Sequence, residues 1–131
     1  MANPSRARVW TGRVLSALVV VGLLFSASMK IMGSPQVTEI FGGKLGYPES
    51  TFLPIGVLEA ACAVLYAIPQ TAVLGAILVT GYLGGAVATH VRVSDVFVSP
   101  LIMGVVAWLG LYLRESRLRA VLPLRSRSTS D

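Results

Sequence analysis

Glu59 has the clearest chemical meaning in this sequence, because it lies inside a long apolar run over residues 52–68. An ionisable side chain inside a membrane-spanning segment is costly, so it usually faces the interior of a helix bundle and has a partner. Lys30 and His90 are the candidate partners, with Arg92 two residues beyond His90. Two interpretations stay open: a buried ion pair that fixes helix register, and a carboxylate that handles protons or binds a ligand.

Four apolar runs must position these residues, over residues 9–29, 52–68 (or from 49), 71–91 and 96–113. About 20 residues of helix cross a hydrocarbon core of roughly 30 Å. Only 13% of the 131 residues are charged, about half of the share usual in a soluble domain. We therefore predict an all-α fold, a four-transmembrane-helix bundle in a single membrane domain over residues 1–122, followed by a disordered basic tail over residues 123–131.

The first apolar run has an alternative interpretation as a signal peptide, because Ser26-Ala27-Ser28 resembles a small-residue cleavage site. The run is long for a signal peptide and three more spans follow it, so we expect it to be retained. Eight of the eleven basic residues lie before or in the first turns of the first span, or after the last span. This bias predicts that both termini are cytoplasmic and places Trp10, Trp108 and Tyr112 near that face.

This order of spans brings the polar side chains to the outer end of the bundle. Lys30 ends the first span and His90 ends the third, while Glu59 lies a short distance inside the second. Ser26 is one turn from Lys30, and Tyr82 is two turns from His90. We therefore expect a polar pocket that opens outward and is formed by Ser26, Lys30, Glu59, Tyr82, Thr89, His90 and Arg92.

The longest loop, residues 33–51, contains signals for one short helix. Ser34 can cap such a helix, Pro35 suits its first position, and Gly42-Gly43 is expected to stop it. Val37, Ile40 and Phe41 would form its apolar face, which could lie on the membrane surface or cover the bundle mouth. Further along, Ser94 or Asp95 is expected to cap the last span, and the Glu115 to Arg119 spacing allows a helix that continues past the membrane.

Gly81 and Gly85 are four residues apart in the third span, so they share one helix face. Gly84 lies beside them and Ala88 follows on the same side. Small residues at this spacing let another helix approach closely. We expect this face to pack against another helix, either of the same chain or of a second protomer.

Several other classes of site are disfavoured. Cys62 is the only cysteine, so the chain cannot form an internal disulfide, and within an apolar run it is expected to act as a small hydrophobe. A lone histidine without a second ligand at metal-binding spacing does not indicate a metal site. The net charge of +5 comes from arginines that flank spans, which does not indicate nucleic-acid binding.

The segment GVLEAACAVLYAIPQTAVLGAILVTGYLGGAVATHVR, over residues 56–92, resembles the DoxX-like family of small bacterial membrane proteins. The resemblance extends to Ser26-x-x-x-Lys30 and to the run that ends at Arg114, and it covers residues 10–115. It implies a four-helix membrane bundle with motif positions at Lys30, Glu59, Thr89, His90 and Arg92. Relatives of this kind include a small subunit of a thiosulfate:quinone oxidoreductase and proteins linked to membrane redox or thiol-stress complexes.

The residues and the resemblance together favour an accessory subunit of a redox system in the bacterial plasma membrane, rather than a stand-alone enzyme. Its outward pocket would hold a quinone or a similar small apolar molecule, although no cofactor is certain. The expected partners are the lipid bilayer, a redox protein and further copies of the chain. The alternative is a non-enzymatic carrier of a small molecule or lipid, or a membrane scaffold for another protein.

Overall fold

The computed structural model describes residues 5–122, which are helical and contain no strand. The α-helices are α1 (Arg6–Met32), α2 (Pro35–Val37), α3 (Phe52–Ala67), α4 (Ala72–Arg92), α5 (Val98–Arg114) and α6 (Ser116–Val121). A π-helical segment, Thr38–Lys44, follows α2, and 3₁₀ turns at Glu49–Thr51 and Pro69–Thr71 precede α3 and α4. The predicted all-α class is confirmed, whereas the predicted tail over residues 123–131 lies outside the described residues.

The four long helices form a closed ring in which α1 and α4 each pack against both α3 and α5. Three stretches are long and apolar enough to cross a membrane: α1, α3 with its preceding turn, and α4 with its preceding turn. Helix α5 is apolar but has 17 residues. The number of spans and the side on which the termini lie therefore stay predictions.

Helix α1 shows why these segments form a bundle within lipid. Its buried residues include Val19, Leu23 and Ala27, which recur every four residues and face the core. The opposite face is also apolar, with Leu18 and Phe25 both more than half exposed. A helix that is hydrophobic on all sides is stable only when both its neighbours and its surroundings are apolar.

Close helix contact depends on glycines other than the ones predicted. A Cβ on Gly12 would lie 2.7 Å from the carbonyl oxygen of Gly110, and a Cβ on Gly75 would overlap the backbone of Tyr66. By contrast, a Cβ on Gly81 or Gly85 would meet no described atom within 4 Å. The same is true of Gly84.

The predicted packing of Gly81, Gly84, Gly85 and Ala88 against a helix of the same chain is therefore wrong. Ala88, like the three glycines, lies on the exposed side of α4. The pattern Gly-x-x-x-Gly indicates that a helix has a smooth face but does not reveal which neighbour lies opposite. The second alternative, packing against another protomer, stays a prediction.

The loop over residues 33–51 is called here the outer loop, after its predicted side of the membrane. It forms the expected short helix, but the helical segment ends at a different residue from the one predicted. The Ser34 hydroxyl accepts a hydrogen bond from the Val37 amide, and Pro35 occupies the first helical position. The chain then continues as a π-helical segment through Gly42-Gly43 to Lys44, so the predicted stop at the glycines is wrong. At the end of this segment Leu45 is only 3% exposed, and its backbone N–H donates to the Ile40 carbonyl oxygen.

Two other predicted helix ends are also corrected. Neither Ser94 nor Asp95 caps α5, which begins after Phe97 without a side-chain cap, and Asp95 instead accepts from the Val96 amide. The chain does not continue as one helix from Arg114, because extended backbone at Glu115 separates α5 from α6. Glu115 caps α6 by accepting from the Arg117 amide, so the predicted helical pairing with Arg119 does not occur.

The aromatic residues expected at one membrane face have different environments. Trp10 is 61% exposed in the first turns of α1. Trp108 donates its indole N–H to the Thr80 hydroxyl at 2.6 Å, so this donor is satisfied inside the protein rather than by headgroups. Tyr112 lies against the guanidinium groups of Arg8 and Arg119.

Replacing Gly75 with alanine tests the role of close packing between α3 and α4. We expect Gly75→Ala to lower stability by about 2 kcal/mol, because the added Cβ overlaps backbone and forces the helices apart. Gly84→Ala is the matched control: it has open space, and alanine is the better helix former by about 1 kcal/mol. Thermal unfolding in detergent measures both, and equal melting temperatures would contradict the packing role.

Candidate functional site

Lys30 and Glu59 form a direct ion pair within the bundle. Lys30 Nζ lies 2.7 Å from Glu59 Oε2, and the two residues are only 8% and 2% exposed. The ammonium also donates to Ser26 Oγ at 2.8 Å and to Tyr82 Oη at 3.1 Å. The predicted pairing of Glu59 is thus confirmed for Lys30, and all three N–H groups of the ammonium have acceptors.

Three helices bring these four side chains together. Ser26 and Lys30 are one turn apart on α1, Glu59 lies on α3, and Tyr82 comes from α4. Gly56, one turn before Glu59, allows α3 to approach α1: a Cβ there would lie 3.0 Å from the Ala27 carbonyl oxygen. The Ser26 hydroxyl donates to Glu59 Oε2 at 3.3 Å, so it links α1 to α3 beside the ion pair.

An aromatic group from the outer loop covers the ion pair. Lys30 Nζ lies 5.2 Å from the centroid of the Phe41 ring and 5.8 Å from that of Tyr82. Phe41 stacks on Tyr47 at 4.5 Å and meets the edge of Phe52 at 5.6 Å. The faces of aromatic rings attract a cation, so these rings stabilise the ammonium while excluding water from its outer side. Sequence reasoning did not select Phe41 or Tyr47 as site residues.

The cluster forms one wall of a cavity of about 380 Å³, called here the polar cavity. The polar side chains on its wall are those of Ser26, Lys30, Gln36, Glu59, Tyr82, His90 and Ser99, and the remaining wall is mostly apolar. A volume of this size lies within the range of small-molecule sites. Within residues 5–122, Glu59 Oε2 accepts from Lys30 and Ser26, whereas no donor is bonded to Oε1.

His90 lies at the rim of the polar cavity and does not contact Glu59. Its Nδ1 is 2.7 Å from the Ala86 carbonyl oxygen, and since a carbonyl only accepts, Nδ1 carries the proton. Its Nε2 is 4.0 Å from Asp95 Oδ2. The Val96 amide and then the Lys44 ammonium, 3.2 Å away, hold the pKa of Asp95 below its usual range, so a negative charge faces His90 at neutral pH.

Thr89 and Arg92 are not part of the polar cavity but attach the outer loop to α4. The Thr89 hydroxyl donates to the Gly85 carbonyl and lies 2.8 Å from the Tyr47 hydroxyl, which is left as the donor to it. Arg92 Nη2 donates to the Leu45 carbonyl oxygen at 2.9 Å. Arg92 therefore has a supporting position around the loop rather than a place on the wall of the polar cavity, while Thr89 also lines a second cavity beside it.

A second cavity, of about 260 Å³, adjoins the polar cavity between the outer loop, α3 and α4. Its wall includes Gly81, Gly85 and Thr89 of α4 and Ile55 and Leu58 of α3, and we call it the glycine groove. The two cavities share five wall residues, namely Phe41, Leu45, Tyr82, Ala86 and His90. The glycines thus leave open space beside the polar cavity, next to the wall residues that the two cavities share.

The opposite end of the bundle has a polar network that sequence reasoning missed. Tyr66 is fully buried; its hydroxyl donates to the Ala107 carbonyl at 2.6 Å and lies 3.0 Å from Ser16 Oγ. Arg114 Nη2 donates to the Tyr66 carbonyl. Cys62 is buried among core residues, and the described part of the chain contains no group of three or more His, Cys, Asp or Glu placed to hold a metal ion.

In a comparison with protein families, residues 14–111 match the model of the DoxX-like family. The chain belongs to the DoxX-like family. The match includes all four polar residues around Lys30 and begins within α1 and ends within α5, so the resemblance expected from the motifs is confirmed. This DoxX-like chain is accordingly a membrane protein. Comparison with curated proteins and with solved structures gave no match.

A double-mutant cycle on the ion pair measures what it contributes to this DoxX-like protein. Either Glu59→Gln or Lys30→Met alone should lower stability by about 3 kcal/mol, because each leaves one buried charge unpaired. The double variant should be more stable than either single variant, since no orphan charge remains. Unfolding in mixed detergent measures the three variants, and additive losses would show that the two charges are not coupled.

Proposed function

We propose that this protein binds a quinone, or a similar small apolar molecule with a polar head, as an accessory subunit of a membrane redox system. The observation that carries the proposal is the free acceptor Glu59 Oε1, which belongs to a carboxylate on the wall of the polar cavity. Glu59 Oε1 is not among the buried side-chain atoms that lack a partner, so it is accessible from the cavity. A bound head group with a hydroxyl could donate a hydrogen bond to it.

The polar groups of the cavity suit both forms of a quinone head. Tyr82 accepts from Lys30 and keeps its own hydroxyl proton, which can be donated to a quinone carbonyl. In the reduced form, a ring hydroxyl can donate to Glu59 Oε1. Lys30 would fix the charge of the site, with His90 at its rim. Arg92, expected from the sequence to share this role, is bonded to the loop backbone instead.

The glycine groove gives the apolar tail of such a molecule a path from the polar cavity to the lipid. It runs past Gly81 and Gly85, and the facing side chains Ile55 and Leu58 are apolar. An amphiphile would therefore place its head against Glu59 and its tail between α3 and α4. The five wall residues common to both cavities support this placement of head and tail in adjoining spaces.

The alternative function is a non-enzymatic carrier of a small molecule or lipid, or a scaffold for a partner protein. One observation favours it: the Lys30 ammonium has all its donors satisfied within the chain, as expected for a structural pair. The two functions differ in redox dependence. A carrier would bind oxidised and reduced quinones, or an unrelated lipid, with similar affinity, whereas a redox subunit would distinguish the two quinone forms.

Binding of decylubiquinone to detergent-purified protein tests the site, with calorimetry as the measurement. We expect Gly85→Leu to raise Kd about tenfold or more, because the new side chain fills the groove. Tyr82→Phe should raise the Kd for the oxidised form about fivefold through loss of one hydrogen bond. Gly84→Leu is the control, since Gly84 faces a different groove beside Trp108.

Absence of binding to the wild type in both redox states would overturn the quinone assignment. Equal effects of Gly85→Leu and Gly84→Leu would overturn the tail path alone. If the tail path fails because a second protomer covers Gly81, Gly85 and Ala88, cross-linking between protomers at this face will identify the homo-oligomer expected from the sequence.

We further propose four spans in the bacterial plasma membrane with both termini cytoplasmic. Helix α5, at about 1.5 Å per residue, reaches roughly 26 Å, which a slightly thinned bilayer accommodates. An impermeant maleimide applied to intact cells tests this in a Cys62→Ala background. Thr38→Cys should be labelled, whereas Asn3→Cys and Ser128→Cys should react only after lysis. Labelling of Asn3→Cys in intact cells would reverse the orientation.

A further inference from the structure

The end of the bundle where α1 begins and α5 ends concentrates positive charge. Within residues 5–122 it carries six arginines, Arg6, Arg8, Arg13, Arg114, Arg117 and Arg119, against the single carboxylate of Glu115. That carboxylate is bonded to the Arg117 amide. No ion pair involving these arginines occurs among the described residues, whose salt bridges all lie at the other end.

Three of the arginines are held together by packing. Arg8 of α1 and Arg119 of α6 both lie against the Tyr112 ring, with guanidinium carbons 5.8 Å and 5.9 Å from its centroid. Arg114 lies 5.2 Å from the Tyr66 ring and donates to the Tyr66 carbonyl. Gly12, one turn after Arg8, contacts the Arg114 backbone and so brings the start of α1 onto the end of α5.

These three residues also contain buried donors that have no acceptor. Arg8 Nε, Arg114 Nε and Arg119 Nη1 are shielded from solvent and make no hydrogen bond. In the part of the chain that the structure describes, they are the complete set of buried side-chain nitrogens and oxygens without a partner. Buried unpaired donors on charged groups are strongly unfavourable, and like charges at close range repel. A bound anion would offset the repulsion by accepting hydrogen bonds from the accessible N–H groups of the same three part-exposed side chains.

We propose that Arg8, Arg114 and Arg119 bind the phosphate of an anionic phospholipid. Guanidinium groups bind phosphate through paired, charge-assisted hydrogen bonds, and basic pockets between membrane helices bind lipid head groups. The surroundings favour a lipid over free phosphate, because the exposed side chains next to the cluster include Trp10, Val14 and Leu109. These apolar groups lie where acyl chains would extend from the head group along α1 and α5.

The proposed site includes these three arginines and excludes the exposed arginines beside them. Arg13 is exposed and stacks 5.4 Å from the Trp10 ring, and Arg117 is also exposed. Neither contributes a buried unpaired donor. General attraction of the bilayer surface would involve all six arginines alike, whereas a binding site depends on Arg8, Arg114 and Arg119. The site lies at the end of the bundle opposite the polar cavity and does not depend on the proposed function.

Native mass spectrometry of protein from mixed micelles of dioleoylphosphatidylglycerol and dioleoylphosphatidylcholine tests the site. The wild type should retain phosphatidylglycerol preferentially, in a one-to-one complex. The double variant Arg8→Gln, Arg119→Gln should lose about tenfold or more of that retention. The double variant Arg13→Gln, Arg117→Gln removes the same charge from exposed positions and should behave as the wild type. Equal losses in both variants would show surface attraction only and overturn the site.

If the first double variant does not fold, the site can be tested on the wild type by the change in its melting temperature when lipid is added. Phosphatidylglycerol should raise the melting temperature in detergent, whereas phosphatidylcholine should not. The conservative variant Arg8→Lys, Arg119→Lys keeps the charge but loses the paired donors, so it should show a smaller increase. If millimolar inorganic phosphate reproduces the full increase, the site binds free phosphate and the lipid assignment is wrong. Absence of any increase would overturn the proposal.

Discussion

Burial of the Glu59 carboxylate is the constraint on which the organisation of the outer half depends. Removing an ion from water carries a penalty of several kcal/mol even after the protein relaxes, so the carboxylate requires a cation at contact distance. Lys30 meets this need at 2.7 Å. The contact in turn requires α1 and α3 to lie close together, and Gly56 at the crossing makes that approach sterically possible.

The two ends of the bundle use glycine in opposite ways. At the end with the termini, Gly12, Gly75 and Gly110 remove side chains so that backbones touch, and the buried Tyr66 fills the space that remains. At the other end, Gly81 and Gly85 remove side chains where no helix of the chain enters the space. One end is therefore closely packed, while the other contains adjoining cavities whose walls include residues of the outer loop.

The helices and the ion pair could be predicted from the sequence because both follow from one large energy, the cost of placing a charge in hydrocarbon. Charges are expensive in hydrocarbon, so long uncharged runs and the isolated Glu59 are visible without an alignment. The smaller energies of helix packing could not be predicted from the sequence in this way. Gly75 and Gly81 are both glycines in one apolar helix. The sequence does not show that α3 lies against Gly75 and leaves open space at Gly81.

The position of the loop over Lys30 and the grouping of Arg8, Arg114 and Arg119 were not predicted, because both depend on the tertiary fold. Phe41 and Tyr47 belong to a π-helical segment and its exit, which lack the periodicity of a long helix. Their stacking over Lys30 depends on how the loop folds back over the bundle. The arginines near the termini were assigned to membrane orientation, a rule that concerns charge alone. Burial of individual guanidinium nitrogens depends on the break at Glu115, which turns α6 away from the axis of α5.

The polar atoms without a hydrogen-bond partner are of opposite kinds at the two ends of the bundle. At the outer end Glu59 Oε1 is an acceptor without a donor, and at the other end Arg8, Arg114 and Arg119 hold donors without acceptors. Since about 30 Å of apolar bundle separates such ends, neither set can satisfy the other. The two ends therefore offer different chemistry to molecules outside the chain: an accessible carboxylate oxygen at one end, and a group of guanidiniums without carboxylate partners at the other.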